Sequence, residues 1–172
     1  MAHERYTRTN QKIFFAGLAL ESLRKAEAGA AVNAQALIQA EREAVLFHLY
    51  GAVLGLCHEV AGYYRLAEAD APRVELLLDH GVLQASPTPE LAELMEIAQQ
   101  PESWLARLLA AYAALFRPPQ EPRTAKVDPS LPLINAVSVE DEPATLGSEE
   151  LEAWRQQLKQ LVLRYRESLS EC

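Results

Sequence analysis

Apolar residues recur three and four positions apart along most of this chain, the spacing that lines one face of a helix. Ile13, Ala16, Leu20 and Leu23 predict a first helix over 9–28, with Gly29 as its stop. Phe14, Phe15 and Leu18 fall outside that stripe. The apolar surface is therefore wide, as in a helix with neighbours on two sides or with a partner chain. Asn33 then caps a second helix that meets no breaker before residue 66 or 67, which at 1.5 Å per residue is about 50 Å long. Ala34, Ile38, Val45, Leu49, Ala52, Leu56, Val60 and Tyr63 form its apolar face. Beside that face run Ala44, Gly51, Gly55 and Gly62, a seam of small residues. Each interior glycine costs about 1 kcal/mol relative to alanine, so three of them call for close packing or a bend.

Asp70 and Pro72 predict a short third helix through Leu78, ended at His80 and Gly81. Thr88 and Pro89 open a fourth over 88–99, and Pro101 a fifth, with Trp104, Leu108, Tyr112, Leu115 and Phe116 along one side. The stretch 117–147 differs in character. It holds six of the ten prolines and more acidic than basic residues, and reads as a long irregular loop. Its apolar centre, 131–139, could dock on the bundle or pair as a short strand. Ser148 caps a last helix with Glu149 and Glu150 in its first turn, and Arg164 and Arg166 near its end, all favourable to the helix dipole. Its buried stripe is Leu151, Trp154, Leu158, Leu161, Val162, Tyr165 and Leu169. The expected fold is all-α: one domain over 1–172, a bundle of four long helices plus short ones, with a Pro-rich acidic loop before the last helix.

Charge and cysteine usage narrow the function. A formal net charge of −8 opposes a general grip on nucleic acid. Cys57 lies in a core helix and Cys172 is the last residue, so both read as reduced thiols. The first thirty residues imitate a signal peptide, but Glu21, Arg24, Lys25 and Glu27 occupy the place of the uncharged cleavage region. No stretch reads as the 18–20 apolar residues of a membrane span, and a cytoplasmic setting is expected.

The run EREAVLFHLYGAVLGLCHEV, 41–60, looks chemically rich. A di-metal bundle site would show Glu-x-x-His pairs on adjacent turns, and the chain has none. Glu41 and Glu59 lie about 10 and 16 Å from His48 along the axis, too far to share an ion with it. Neither a metal nor another cofactor is expected, and His48 reads as a hydrogen-bonded core or seam histidine. Cys57, His58 and Glu59 diverge by about 100° per residue and do not converge on one point. A carboxylate at Glu59 needs a cation from another helix, with Arg5, Arg8 or Lys12 the nearest guesses. Those three also form a basic stripe, read as a solvated face or as a dock for an acidic partner. Tyr63, Tyr64 and Arg65 end the helix or rim a pocket.

Arg42-x5-His48 resembles the arginine-to-histidine spacing of the HEPN ribonucleases, which would make Arg42 a phosphate stabiliser and His48 an acid/base. On a straight helix the two are about 120° apart around the axis. More broadly, LIQAEREAVLFHLYGAVLGLCHEVAGYYRL, PESWLARLLAAYA and EELEAWRQQLKQLVLRYRESL resemble a family of small pseudomonad proteins classed as a domain of unknown function. The resemblance spans nearly the whole chain and implies a bacterial cytoplasmic protein without supplying catalytic residues.

From 44 to 57 every residue except His48 is apolar, glycine or tyrosine, so that helix must be enclosed on all sides. The leading expectation is a non-enzymatic interaction or adaptor protein that self-associates or binds a protein partner, with Gly51, Gly55, Glu59, Gly62 and Tyr63 as the partner or ligand seam. A HEPN-like nuclease at Arg42 and His48, and a small-ligand site near Glu59 and Tyr63, are the alternatives.

Overall fold

The computed structural model describes residues 2–118 and 145–170, and among these every regular element is helical. α1 (Ala2–Ala28) and α2 (Ala34–Tyr63) form the most extensively packed pair. α3 (Val74–Leu77) and α4 (His80–Ala85) are single turns that lead into α5 (Pro89–Gln99), α6 (Trp104–Ala114) and α7 (Ser148–Ser170). α2 packs against α1, α3, α5, α6 and α7, so it is the spine of the bundle. The expected apolar centre at 131–139 lies outside the described residues.

The helical stripes are buried along most of their length, except that Tyr63 of the α2 face and Phe116 beyond α6 are exposed. Ile13, Ala16, Leu20 and Leu23 meet Val45, Leu49, Ala52, Leu56 and Val60 in one continuous core. All seven residues of the α7 stripe, Leu151 through Leu169, join it. Burying a large aliphatic side chain contributes about 1.5–3 kcal/mol, so these stripes, rather than intrinsic propensity, fix the bundle.

Several helix ends depart from expectation, including that of α3, which starts at Val74 after Arg73 and not in the Asp70–Pro72 turn. α1 begins at Ala2 and not at Thr9, because the polar opening turns continue the helix along α2. α2 stops at Tyr63, where Arg65 takes a left-handed φ of 55°. The Arg65 and Leu66 amides donate to the Gly62 and Ala61 carbonyls (3.3 and 2.9 Å), a Schellman cap built on arginine in place of glycine. His80 and Gly81 open α4 instead of ending a helix, since the Asp79 carboxylate accepts the Gly81 amide at 2.8 Å. α6 starts after Ser103, whose hydroxyl accepts the Ala106 amide, and not at Pro101.

The cap of α7 also comes from elsewhere than expected. Ser148 is the first helical residue, and its amide and hydroxyl both donate to the Glu27 carboxylate of α1 (3.1 and 2.5 Å). An anion from the end of one helix thus neutralises the start of another. α2 is, by length and composition, apolar enough to cross a membrane, contrary to the sequence reading. In this fold 67% of its most apolar window is buried against other helices.

Candidate functional site

The glycine seam of α2 is filled by α1. Arg5, Thr9 and Lys12, one or two turns apart, lie over Gly62, Gly55 and Gly51 respectively. A Cβ on Gly55 would stand 2.6 Å from the Thr9 Oγ1 and 3.3 Å from the Thr9 Cα, so the two backbones approach too closely for a side chain. Thr9 is fully buried there and donates its hydroxyl to the Arg5 carbonyl at 3.3 Å. At Gly62 the Arg5 guanidinium crosses the helix, donating to the His58 carbonyl (2.9 Å) and pairing with Asp70 (3.5 Å). At Gly51 the stem of Lys12 passes within 3.1 Å of where a Cβ would stand. Arg5 and Lys12, expected on a solvated face, therefore lie in the seam. Much of the seam expected to receive a partner or ligand is thus occupied by α1 side chains, while Gly51 and Gly55 also line a cleft beside it.

Glu59 is neutralised inside the same bundle, by a residue the sequence reading did not consider. Its carboxylate accepts two hydrogen bonds from Arg166 of α7, at 2.8 and 2.9 Å. The partner is neither Arg5, Arg8 nor Lys12. Arg166 also donates to the Asn10 amide oxygen (3.0 Å) and lies over the Tyr6 ring at 4.6 Å, which ties α1, α2 and α7 at one point. A carboxylate whose side chain is 1% exposed needs such a two-pronged partner, since an isolated buried charge is prohibitive. Tyr63, one turn after Glu59 on α2, is half-exposed and meets Tyr64 edge-on at 5.2 Å.

Arg42 and His48 turn to different neighbours. Arg42 donates to the Leu146 carbonyl at 2.8 Å, just ahead of α7. His48 stands edge-on between Phe15 (5.4 Å) and Phe47 (5.3 Å), its Nδ1 buried without a hydrogen-bond partner. Desolvation, then the nearby Lys12 charge, lowers its pKa, which keeps the ring neutral. A nuclease reading needs the two to converge on one phosphate, and this geometry gives it no support. Cys57 is wholly buried and burial pushes its thiol up to about 12, so it is not a nucleophile at neutral pH.

The surface carries a feature that periodicity only hinted at. Phe14 (59% exposed), Leu18 (48%), Phe47 (50%) and Leu163 (61%) are large apolar side chains in solvent. Phe14 and Leu163 line a common groove of about 200 Å³ between α1 and α7. Phe14 touches Phe15 (6.4 Å between centroids), and Phe15, His48 and Phe47 continue in edge contacts. Leu18 lies one turn beyond Phe14 on α1.

Among the described residues no group of three His, Cys, Asp or Glu side chains is placed to hold a metal ion. The fold and surface thus define an all-helical bundle in which Arg5, Glu59 and Cys57 are engaged inside the packing and several large apolar residues face outward. The chain belongs to DUF6586, a family of unknown function, whose model matches residues 1–172. No curated protein and no solved structure matches it.

Proposed function

We propose that this is a non-enzymatic helical interaction protein that self-associates through the face formed by Leu163, Phe14, Leu18 and Phe47. One observation carries the reading: Phe14 and Leu163, both more than half exposed, share the α1–α7 groove, with Leu18 one turn beyond Phe14 and Phe47 joined to Phe14 through Phe15 and His48. Taking about 200 Å² for a phenylalanine and a little less for leucine, they expose on the order of 400 Å² of apolar surface, the size at which patches on monomers commonly serve binding. A stable dimer commonly buries about 800 Å² per partner. The face with its polar rim falls short of that, so the association is weak and concentration-dependent.

A second copy is the occupant that needs no further component. α1 and α7 present both the groove and the protruding Phe14 and Leu163, which allows the same patch to meet itself about a two-fold axis. The binding role, rather than a catalytic one, is supported by the pairing of Glu59 with Arg166 and by the sealed thiol of Cys57. That reduced thiol also fits a reducing, cytoplasmic setting. Light scattering on Phe14→Ser and Leu163→Glu tests the reading. Both variants are expected to stay monomeric at concentrations where the parent chain associates, with unchanged helical content. Parent-like association in both would overturn it.

A further inference from the structure

A cleft of about 330 Å³, lined in part by Phe47, opens between α1, α2 and α6. Its lining includes Arg8, Lys12, Phe47, Tyr50, His58 and Tyr112, and no aspartate or glutamate. The volume lies at the lower end of small-molecule sites.

Its electrostatics are unbalanced in a way the bundle does not require. Arg8 and Lys12 are four residues apart on α1, a like-charge spacing that disfavours a helix by a few tenths of a kcal/mol. Among the described residues neither forms a salt bridge, although the chain is acidic overall. Arg8 reaches only the side chain of Gln11, at 3.5 Å. Lys12 holds its ammonium over the Phe47 ring at 4.6 Å, where burial and the Arg8 charge both push its pKa down. Gly51 is what lets its stem cross α2 to that position.

The walls are flat and already oriented. Tyr50 and Tyr112 stack at 3.9 Å with planes 10° apart. The Tyr50 hydroxyl donates to Glu75 (2.9 Å) and accepts the Val74 amide (3.1 Å), so its ring is fixed and its polar end is used. His58 is held through Nε2, which donates to the Ala71 carbonyl at 2.7 Å. What remains for an occupant is aromatic surface and two cations that have no acidic partner among the described residues.

We propose that this cleft binds a small aromatic carboxylate, its ring against Phe47 and Tyr112 and its anionic group at Lys12 and Arg8. The ring supplies stacking with a preorganised wall, and the carboxylate supplies the counter-charge that Lys12 and Arg8 lack. A neutral ring would leave the two cations unpaired. An inorganic anion would leave the aromatic wall wet.

The test is titration calorimetry on the full chain with benzoate and indole-3-carboxylate, against indole and inorganic phosphate. It is run in the parent and in Leu163→Glu, so that the outcome does not depend on self-association. The aromatic acids are expected to bind at least about tenfold more tightly than either control, and Lys12→Met, which keeps the stem over Gly51, to lose about tenfold. Tyr112→Leu removes the wall without touching the charges and is expected to weaken binding as well. Phosphate binding as tightly as benzoate would overturn the proposal, as would unchanged affinity in Lys12→Met. Should Lys12→Met not give a cooperative melt, unchanged affinity in Tyr112→Leu overturns it instead.

Discussion

Gly55→Ala separates close helix packing from helix propensity, because the two act in opposite directions at this position. Alanine in place of an interior glycine stabilises a helix by about 1 kcal/mol. Here the new methyl would stand 2.6 Å from the Thr9 Oγ1 and 3.3 Å from the Thr9 Cα. Thr9 is fully buried and part of the α1 backbone is within reach, so α1 has to move off α2. Overpacking of this kind costs about 1–3 kcal/mol, which leaves Gly55→Ala about 1 kcal/mol less stable than the parent. Gly51→Ala is the internal control. It gains the same propensity but meets only the flexible stem of Lys12, at 3.1 Å, and is expected to be neutral or slightly stabilising. Thr9→Ala combined with Gly55→Ala removes the closest atom, and the pair should show a favourable coupling of about 1 kcal/mol. Urea unfolding at one fixed protein concentration measures all five chains: the parent, Gly55→Ala, Gly51→Ala, Thr9→Ala and the double variant. A Gly55→Ala protein as stable as Gly51→Ala, with no coupling to Thr9, would refute the α1-in-seam geometry.

Three further outcomes follow from the helix ends and buried charges. Arg65→Gly relieves the left-handed backbone at the end of α2 and should raise stability by about 0.5–1 kcal/mol and Tm by about 2–4 °C, read by thermal melting. Arg166→Met strands the Glu59 carboxylate, at 1% side-chain exposure, and is expected to cost about 3 kcal/mol in urea unfolding. Glu59→Leu with Arg166→Met should recover most of that loss. His48 has its pKa lowered in the folded chain, so the unfolded chain binds the proton more readily below its ordinary 6.5. Its contribution is therefore present above that value and lost as pH falls. Stability measured from about pH 7 down to 5 should drop more steeply in the parent than in His48→Phe.

Much of the bundle was legible because helical periodicity is a local property. The stripes of α1, α2 and α7 could be read residue by residue, since burial on one face of a helix repeats every three or four positions. The glycine seam was legible as a place of close approach, but not its occupant. Thr9 carries no mark of being the buried contact, and only the packing of α1 shows it. Arg166 was invisible as the partner of Glu59 because 107 residues separate them and any of several cations could have reached it. The end of α2 uses an exception, an arginine at the left-handed position, whereas the start of α4 uses an ordinary Asp79 cap that the following Gly81, a common helix stop, obscures. The requirement that α2 be enclosed on all sides is met by the bundle itself along most of its length. Large apolar side chains stay uncovered on α2 itself, at Leu37, Phe47 and Tyr63, as well as on α1 and α7, at Phe14, Leu18 and Leu163. Those α1 residues were visible in the sequence as a stripe too wide for one neighbour. Their union with Phe47 into one face depends on where α1 settles across α2.

Sedimentation velocity on the parent chain and Leu163→Glu, from low micromolar to several hundred micromolar, tests the central claim most directly. Self-association through the α1–α7 face predicts that the parent moves with concentration from the 19.1 kDa monomer towards twice that mass, while Leu163→Glu stays at the monomer throughout. A parent chain that sediments as a single 19.1 kDa species over the whole range would contradict it.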